Sequence, residues 1–98
     1  MAEEKKVVKR AKAFSATIGS MTYRVILLKL NKWRKQTNQN SITIEIKEVA
    51  GTFESWLTFG ANSILLLDGY RTQEEVMAQV IQLRKYLLER NYKVYIQE

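Results

Sequence analysis

The side chains of this sequence that could take part in catalysis or bind a metal ion are carboxylates, because its 98 residues contain no Cys and no His. Thiolates and imidazoles supply most protein nucleophiles, general bases and zinc ligands. Asp68 sits beside Gly69 as in a turn, while Glu74 and Glu75 stand where helix-capping residues stand. We therefore expect no enzyme, no metal site and no cofactor. The alternative, a Mg²⁺-dependent nuclease, would use carboxylates from this set: Asp68, Glu74, Glu75, Glu45 and Glu48.

The basic residues are concentrated in the first forty residues. Residues 1–40 carry ten basic and two acidic side chains, a formal net charge of +8, whereas residues 41–98 carry six basic and eight acidic ones, a net charge of −2. A polyanion that binds such a segment releases its condensed counterions, which strengthens binding at low salt. The asymmetry predicts a polyanionic partner, and the alternative is a solvated surface without a binding role.

Basic and aromatic residues are interleaved over residues 23–35, a combination typical of proteins that bind single strands. The cations follow the phosphates and the rings stack on the bases. The alternative is that Tyr23 and Trp33 pack into the core while the lysines are solvated. The predicted nucleic-acid-binding residues are Lys9, Arg10, Lys12, Tyr23, Arg24, Lys29, Lys32, Trp33, Arg34, Lys35 and Trp56.

Trp56 and Tyr95 form a second aromatic candidate. Strand alternation places both on the face opposite the core, where a large ring is uncommon without a binding role. Glu45 and Glu54 share that face, which makes a protein contact such as a homodimer interface a better fit than phosphate binding. Base stacking and simple partial burial remain the alternatives.

The fold expected from periodicity is α+β. Residues 1–13 form a basic N-terminal arm or short helix, and residues 14–98 form a single α+β domain. Residues 21–30 fit either a strand or a helix, because a helix would align Tyr23, Ile26, Leu30 and Trp33. The β-branched and aromatic residues that follow Gly19 and Ser20 favour the strand.

The rest of the chain gives clearer signals. Residues 41–48 and 53–59 alternate as a hairpin around Ala50 and Gly51, and the apolar run 64–67 indicates a covered inner strand. A capping box at Thr72 and Glu75 begins a helix over residues 72–90, and residues 92–97 form a short final strand. We predict an antiparallel sheet of four to five strands packed on this one long C-terminal helix.

Together these patterns predict a small basic, non-enzymatic protein that binds single-stranded DNA or RNA with low sequence specificity. Homodimerisation is an expected possibility at this chain length. The alternative function is a protein-interaction module, such as a viral or mobile-element regulator, that docks on an acidic partner. The charged N-terminus and short apolar runs predict neither a signal peptide nor a membrane partner, so we expect a cytoplasmic protein.

Overall fold

Two helices cover one face of a four-stranded sheet in the computed structural model, which describes residues 16–98. The fold is therefore α+β, as predicted. The predicted arm at residues 1–13 lies outside the described residues. In chain order the elements are β1 (Thr17–Ile18), β2 (Met21–Thr22), α1 (Tyr23–Thr37), β3 (Ser41–Val49), β4 (Thr52–Phe59), β5 (Asn62–Tyr70), α2 (Gln73–Leu88) and β6 (Lys93–Gln97).

The prediction of a strand over residues 21–30 was wrong, because α1 begins at Tyr23. Thr22 is its N-cap, and the Thr22 hydroxyl oxygen accepts a hydrogen bond from the Val25 amide at 3.2 Å. A helix gathers the apolar residues of this stretch on one face, whereas a strand would divide them between two. Ile26 and Leu30 are completely buried on that face, so tertiary packing outweighs the local strand preference.

The predicted antiparallel sheet was also wrong, because the sheet is mixed. Its strand order is β5-β4-β3-β6, and β6 pairs with β3 in parallel while the other neighbours are antiparallel. The cause is α2, which carries the chain from the end of β5 back across the sheet, so that β6 runs in the same direction as β3. The helical layer also contains two helices instead of one.

The apolar run at residues 64–67 belongs to an edge strand and not to an inner strand as predicted. Strand β5 lies at one end of the sheet and continues through Asp68 to Tyr70, and its Leu65 is 39% exposed. Its register with β4 shifts near Leu67, and Leu66 and Leu67 are both buried. The β1–β2 hairpin packs beside this strand, since Gly19 closely approaches the Leu66 carbonyl. The β1–β2 hairpin thus covers part of residues 64–67, where the prediction of an inner strand implied a neighbouring strand.

The turn expected at Asp68 and Gly69 was wrong, because both residues lie within β5. The β3–β4 hairpin and the cap of α2 are confirmed. The β3–β4 hairpin turns at Ala50 and Gly51, both with positive φ. Thr72 caps α2, because its hydroxyl oxygen lies 3.2 Å from the Glu75 amide and 3.0 Å from the Glu75 carboxylate. Between α2 and the sheet lies one hydrophobic cluster, which α1 and β1 also join. The residues that α2 buries in it are those predicted: Val76, Val80, Leu83 and Leu87.

Candidate nucleic-acid interface

Helix α1 brings five of the predicted basic residues together and contains no acidic residue. The inner face of the helix is buried in the core by Ile26 and Leu30. With 3.6 residues per turn, three exposed cations lie opposite these two residues, namely Arg24, Lys32 and Lys35. Lys29 is exposed at the flank of the same side. We call this side the α1 outer face, and it consists of Arg24, Val25, Leu28, Lys29, Lys32 and Lys35.

The α1 outer face is a band of positive charge along one helix. From Arg24 to Lys35 it extends for about 16 Å at 1.5 Å per residue, which matches the axial rise of about five nucleotides in one strand of a duplex. The apolar members Val25 and Leu28 lie among the cations, and Leu28 is 57% exposed. This geometry lets several cations contact successive phosphates of one strand.

Arg34, the fifth basic residue of α1, points towards the core side. It is half-buried, and its guanidinium carbon lies 5.2 Å from the centre of the Tyr92 ring. The Tyr92 hydroxyl donates a hydrogen bond of 2.6 Å to the Asn31 side-chain oxygen. Burial raises the pKa of Tyr92, and Arg34 partly offsets this by stabilising the phenolate. Arg34 therefore attaches α1 to the start of β6.

The predicted aromatic residues of α1 also lie on its inner side. The Trp33 ring is half-buried, and its centre lies 6.5 Å from that of Phe59 in the core. The Tyr23 ring lies 5.0 Å from Tyr86 of α2 at an angle of 59°, and burial raises the pKa of Tyr23. This placement is the alternative in which both rings pack against the core.

Tyr23 nevertheless borders a groove between the two helices. Residues of this α1–α2 groove that the sequence analysis missed are Tyr86 and Arg90, whose guanidinium carbon lies 3.6 Å from the Tyr86 ring centre. The sequence does contain a signal for this pair, because two residues four positions apart on a helix lie on the same face. The groove presents aromatic rings and arginines next to the α1 outer face, and it is lined by Ala16, Thr22, Tyr23, Arg24, Leu27, Leu28, Tyr86 and Arg90.

The structure separates Trp56 from the other described site residues. Trp56 lies half-buried on the sheet face that the helices leave uncovered, between its strand neighbours Glu45 and Leu65. The α1 outer face lies on the other side of the sheet, so the two regions cannot contact the same few nucleotides. Lys9, Arg10 and Lys12 lie outside the described residues.

The carboxylates considered for metal binding do not converge. Over residues 16–98, no group of three acidic side chains is placed to hold a metal ion. Within the same range, no helix is both long and apolar enough to cross a membrane. Comparison with protein-family models, with curated proteins and with solved structures finds no match to this chain.

Proposed function

We propose that the protein binds single-stranded DNA or RNA through the α1 outer face, with low sequence specificity. The observation that carries the proposal is the set of four exposed cations on one face of a helix that has no acidic residue. Their contacts are to phosphates, which carry no sequence information. Four such contacts give log K a slope against log salt of about −3 for single strands.

The α1–α2 groove supports the preference for single strands. A base can stack on an aromatic ring or on a guanidinium plane only when it is free of a duplex. The Arg90 plane already lies on Tyr86, next to Arg24 at the N-terminal end of the α1 outer face. A nucleic-acid strand bound along the cations of α1 can therefore place one base in the α1–α2 groove, next to Arg24.

The proposal is tested by fluorescence-anisotropy titration of labelled oligonucleotides with a triple alanine variant of Lys29, Lys32 and Lys35. We expect weaker binding to all sequences and a salt slope smaller in magnitude by about 2 between 50 and 200 mM salt. The control variant replaces three exposed cations outside α1, namely Arg71, Arg84 and Lys85, so that its net charge is identical. Equal effects of the two variants would contradict a specific role for α1.

The groove is tested separately with Arg90→Lys, which keeps the charge and removes the planar group. We expect several-fold weaker binding to single strands and an unchanged salt slope, because the number of phosphate contacts stays the same. Binding to duplexes should not change. A variant that binds single strands like the wild type would remove the groove from the proposed interface.

The exposed apolar residues of the α1 outer face favour one second candidate function, docking on an acidic protein. Val25 and Leu28 add little to phosphate binding but would be covered by a protein surface. Val25→Gln distinguishes the two functions, because Val25 is exposed but does not line the α1–α2 groove. The variant should leave oligonucleotide affinity nearly unchanged and strongly weaken a protein complex. An absence of oligonucleotide binding even at low salt would favour the acidic protein partner.

A further inference from the structure

The sheet face that α1 and α2 leave uncovered has the composition of a contact surface. At its centre is Trp56, and towards the two edges lie Leu65 and Tyr95, which are 39% and 57% exposed. No other described element covers it. We call it the open sheet face, and its members are Ser41, Thr43, Glu45, Lys47, Val49, Thr52, Glu54, Trp56, Thr58, Ser63, Leu65, Lys93, Tyr95 and Gln97.

The charges on the open sheet face do not suit a polyanion. Glu45 and Glu54 are near Trp56, and Lys47 already lies 3.7 Å from the Glu45 carboxylate. The second cation, Lys93, lies at the start of β6 opposite Ser41, so two acids and two cations share the face. A nucleic acid would meet no net positive charge there. The opposite signs of Lys47 and Glu54, which are cross-strand neighbours on β3 and β4, instead suit a surface with the reverse arrangement.

We propose that the open sheet face binds a second copy of this chain. Packed sheets keep their strands within about 30° of each other, so a two-fold axis along the strands, between β3 and β4, brings β3 of each copy over β4 of the other. This axis places Lys47 of each copy opposite Glu54 of the other. The contact is self-complementary, as an isologous dimer requires, and it covers Trp56 in both copies.

The size of the face indicates the class of dimer it can form. Four strands spaced about 4.8 Å apart, with about 3.3 Å per residue, give a flat area of roughly 500 Å². Stable complexes commonly bury about 800 Å² on each partner. An interface of this smaller size is typical of weak, reversible association.

Dimerisation through this face has a consequence that rests on the proposed function. The two sheets form the middle layers, and the helices of the two copies form the outer layers. The two α1 outer faces then point away from each other. One dimer binds two separate nucleic-acid segments and bridges them.

The interface is tested by sedimentation of the free protein over a range of concentrations, with the charge-reversal variants Lys47→Glu and Glu54→Lys. We expect the wild type to dimerise as its concentration rises and each variant to remain monomeric, because like charges then face each other across the axis. The control Lys85→Glu makes the same charge change on the exposed side of α2 and should dimerise normally. Circular dichroism establishes that all variants are folded.

Mixing the two variants is the decisive step. In a mixed dimer the two substituted side chains face each other with opposite charges, and so do the unchanged Lys47 and Glu54, so equimolar amounts should associate again. Lys47 and Glu54 are also neighbours within one chain, and an effect confined to the chain would not be relieved by mixing. A mixture that stays monomeric, or a wild type that stays monomeric at submillimolar concentration, overturns the proposal.

Bridging is measured by the capture of a labelled oligonucleotide on beads that carry a second oligonucleotide. We expect capture by the wild type and not by Lys47→Glu, which should bind a single oligonucleotide in the anisotropy assay at least as well as Lys85→Glu does. Capture by monomeric Lys47→Glu would overturn the bridging arrangement. A wild type that dimerises but binds no oligonucleotide would refute the proposed function and leave the dimer interface intact.

Discussion

At the scale of single residues, Gly19 determines how the N-terminal hairpin meets the sheet. Its φ of +61° lies in the left-handed region, and a Cβ atom there would collide with the Leu66 carbonyl oxygen. The neighbouring Ile18 is completely buried. A side chain at position 19 would therefore both strain the turn and separate the hairpin from β5.

Gly19→Ala should consequently cost about 2–5 kcal/mol of unfolding free energy, from the left-handed backbone and from overpacking together. Gly60→Ala is the matched control, since Gly60 has a φ of +62° but no atom within 4 Å of its Cβ position. It should lose only about 1–2 kcal/mol. Urea denaturation measures both, and equal losses would show that the approach to Leu66 is unimportant.

Tyr92 gives the stability of the protein a dependence on alkaline pH. Burial raises its pKa in the folded state above the ordinary value of 10.0, so the unfolded chain releases this proton at lower pH than the folded chain does. The unfolding free energy should be insensitive to this group at neutral pH and should decrease as pH rises beyond about 10. Tyr23 contributes in the same direction.

Tyr92→Phe tests this linkage by denaturation at neutral and alkaline pH. The variant should lose about 0.5–1.5 kcal/mol at neutral pH, because the hydrogen bond to Asn31 is gone. Its stability should then decrease less steeply above pH 10 than that of the wild type. If the unfolding free energies of the two proteins depend on pH in the same way, the pKa of Tyr92 is equal in the folded and unfolded states.

At the scale of elements, the two helices differ in how well their first turns suit the helix dipole. Helix α2 has Glu74 and Glu75 there, which the positive end of the dipole favours. Helix α1 has no acid in its first turn and carries Arg24 instead. An unfavourable cation at this position is consistent with a residue retained for binding.

Arg24→Glu should therefore stabilise the fold by about 0.3–1 kcal/mol while weakening oligonucleotide binding. Glu74→Arg makes the reverse exchange in the first turn of α2 and should destabilise the fold by a similar amount without weakening binding. Thermal unfolding and anisotropy titration provide the two readouts. Stability and affinity that decrease together in Arg24→Glu would contradict this separation.

The sequence predicted those elements whose patterns are local. Strand β3, its hairpin with β4, and the capping box of α2 all depend on residues a few positions apart. The α1 stretch was misjudged because Thr22, Val25 and Ile26 favour a strand locally, and only burial of the inner face decides for a helix. The parallel β3–β6 pair depends on how α2 crosses the sheet, and no pattern of neighbouring residues predicts this crossing.

The candidate site was predictable in composition but not in arrangement. The predicted strand ended at residue 30 and left the basic residues after it in a loop, whereas the helix continues to Thr37. Helical spacing places Lys32 and Lys35 on the side of Arg24. It turns Trp33 and Arg34 towards the core. Tyr86 and Arg90 line the groove because α1 and α2 pack together. Contacts between residues so far apart in the sequence leave no local pattern from which to predict them.

At the scale of the whole molecule, the cations of the α1 outer face and the aromatic residues Trp56 and Tyr95 lie on opposite sides of the sheet. The α1 outer face holds cations, and the open sheet face holds Trp56, Leu65 and Tyr95. The two tryptophans report on these sides separately, because Trp33 lies beneath α1 and Trp56 lies on the open sheet face.

Tryptophan emission should therefore distinguish the two surfaces. In Trp33→Phe, the remaining Trp56 should shift to shorter wavelength as protein concentration rises, since the second copy removes water from its ring. In Trp56→Phe, Trp33 should give the same spectrum at all concentrations. Fluorescence spectra over a dilution series check this, and a concentration-independent Trp56 spectrum would argue against the proposed dimer.

The parallel pairing of β3 and β6 also predicts an order of folding. Two-residue turns join β3 to β4 and β4 to β5, so these hairpins close short loops. The register of β6 instead joins Ser41 to Lys93, and closing so long a loop costs more chain entropy. We therefore expect the three-stranded meander to form first. We expect β6, which brings Tyr92 to Asn31, to dock afterwards and to attach α1 once the meander has formed.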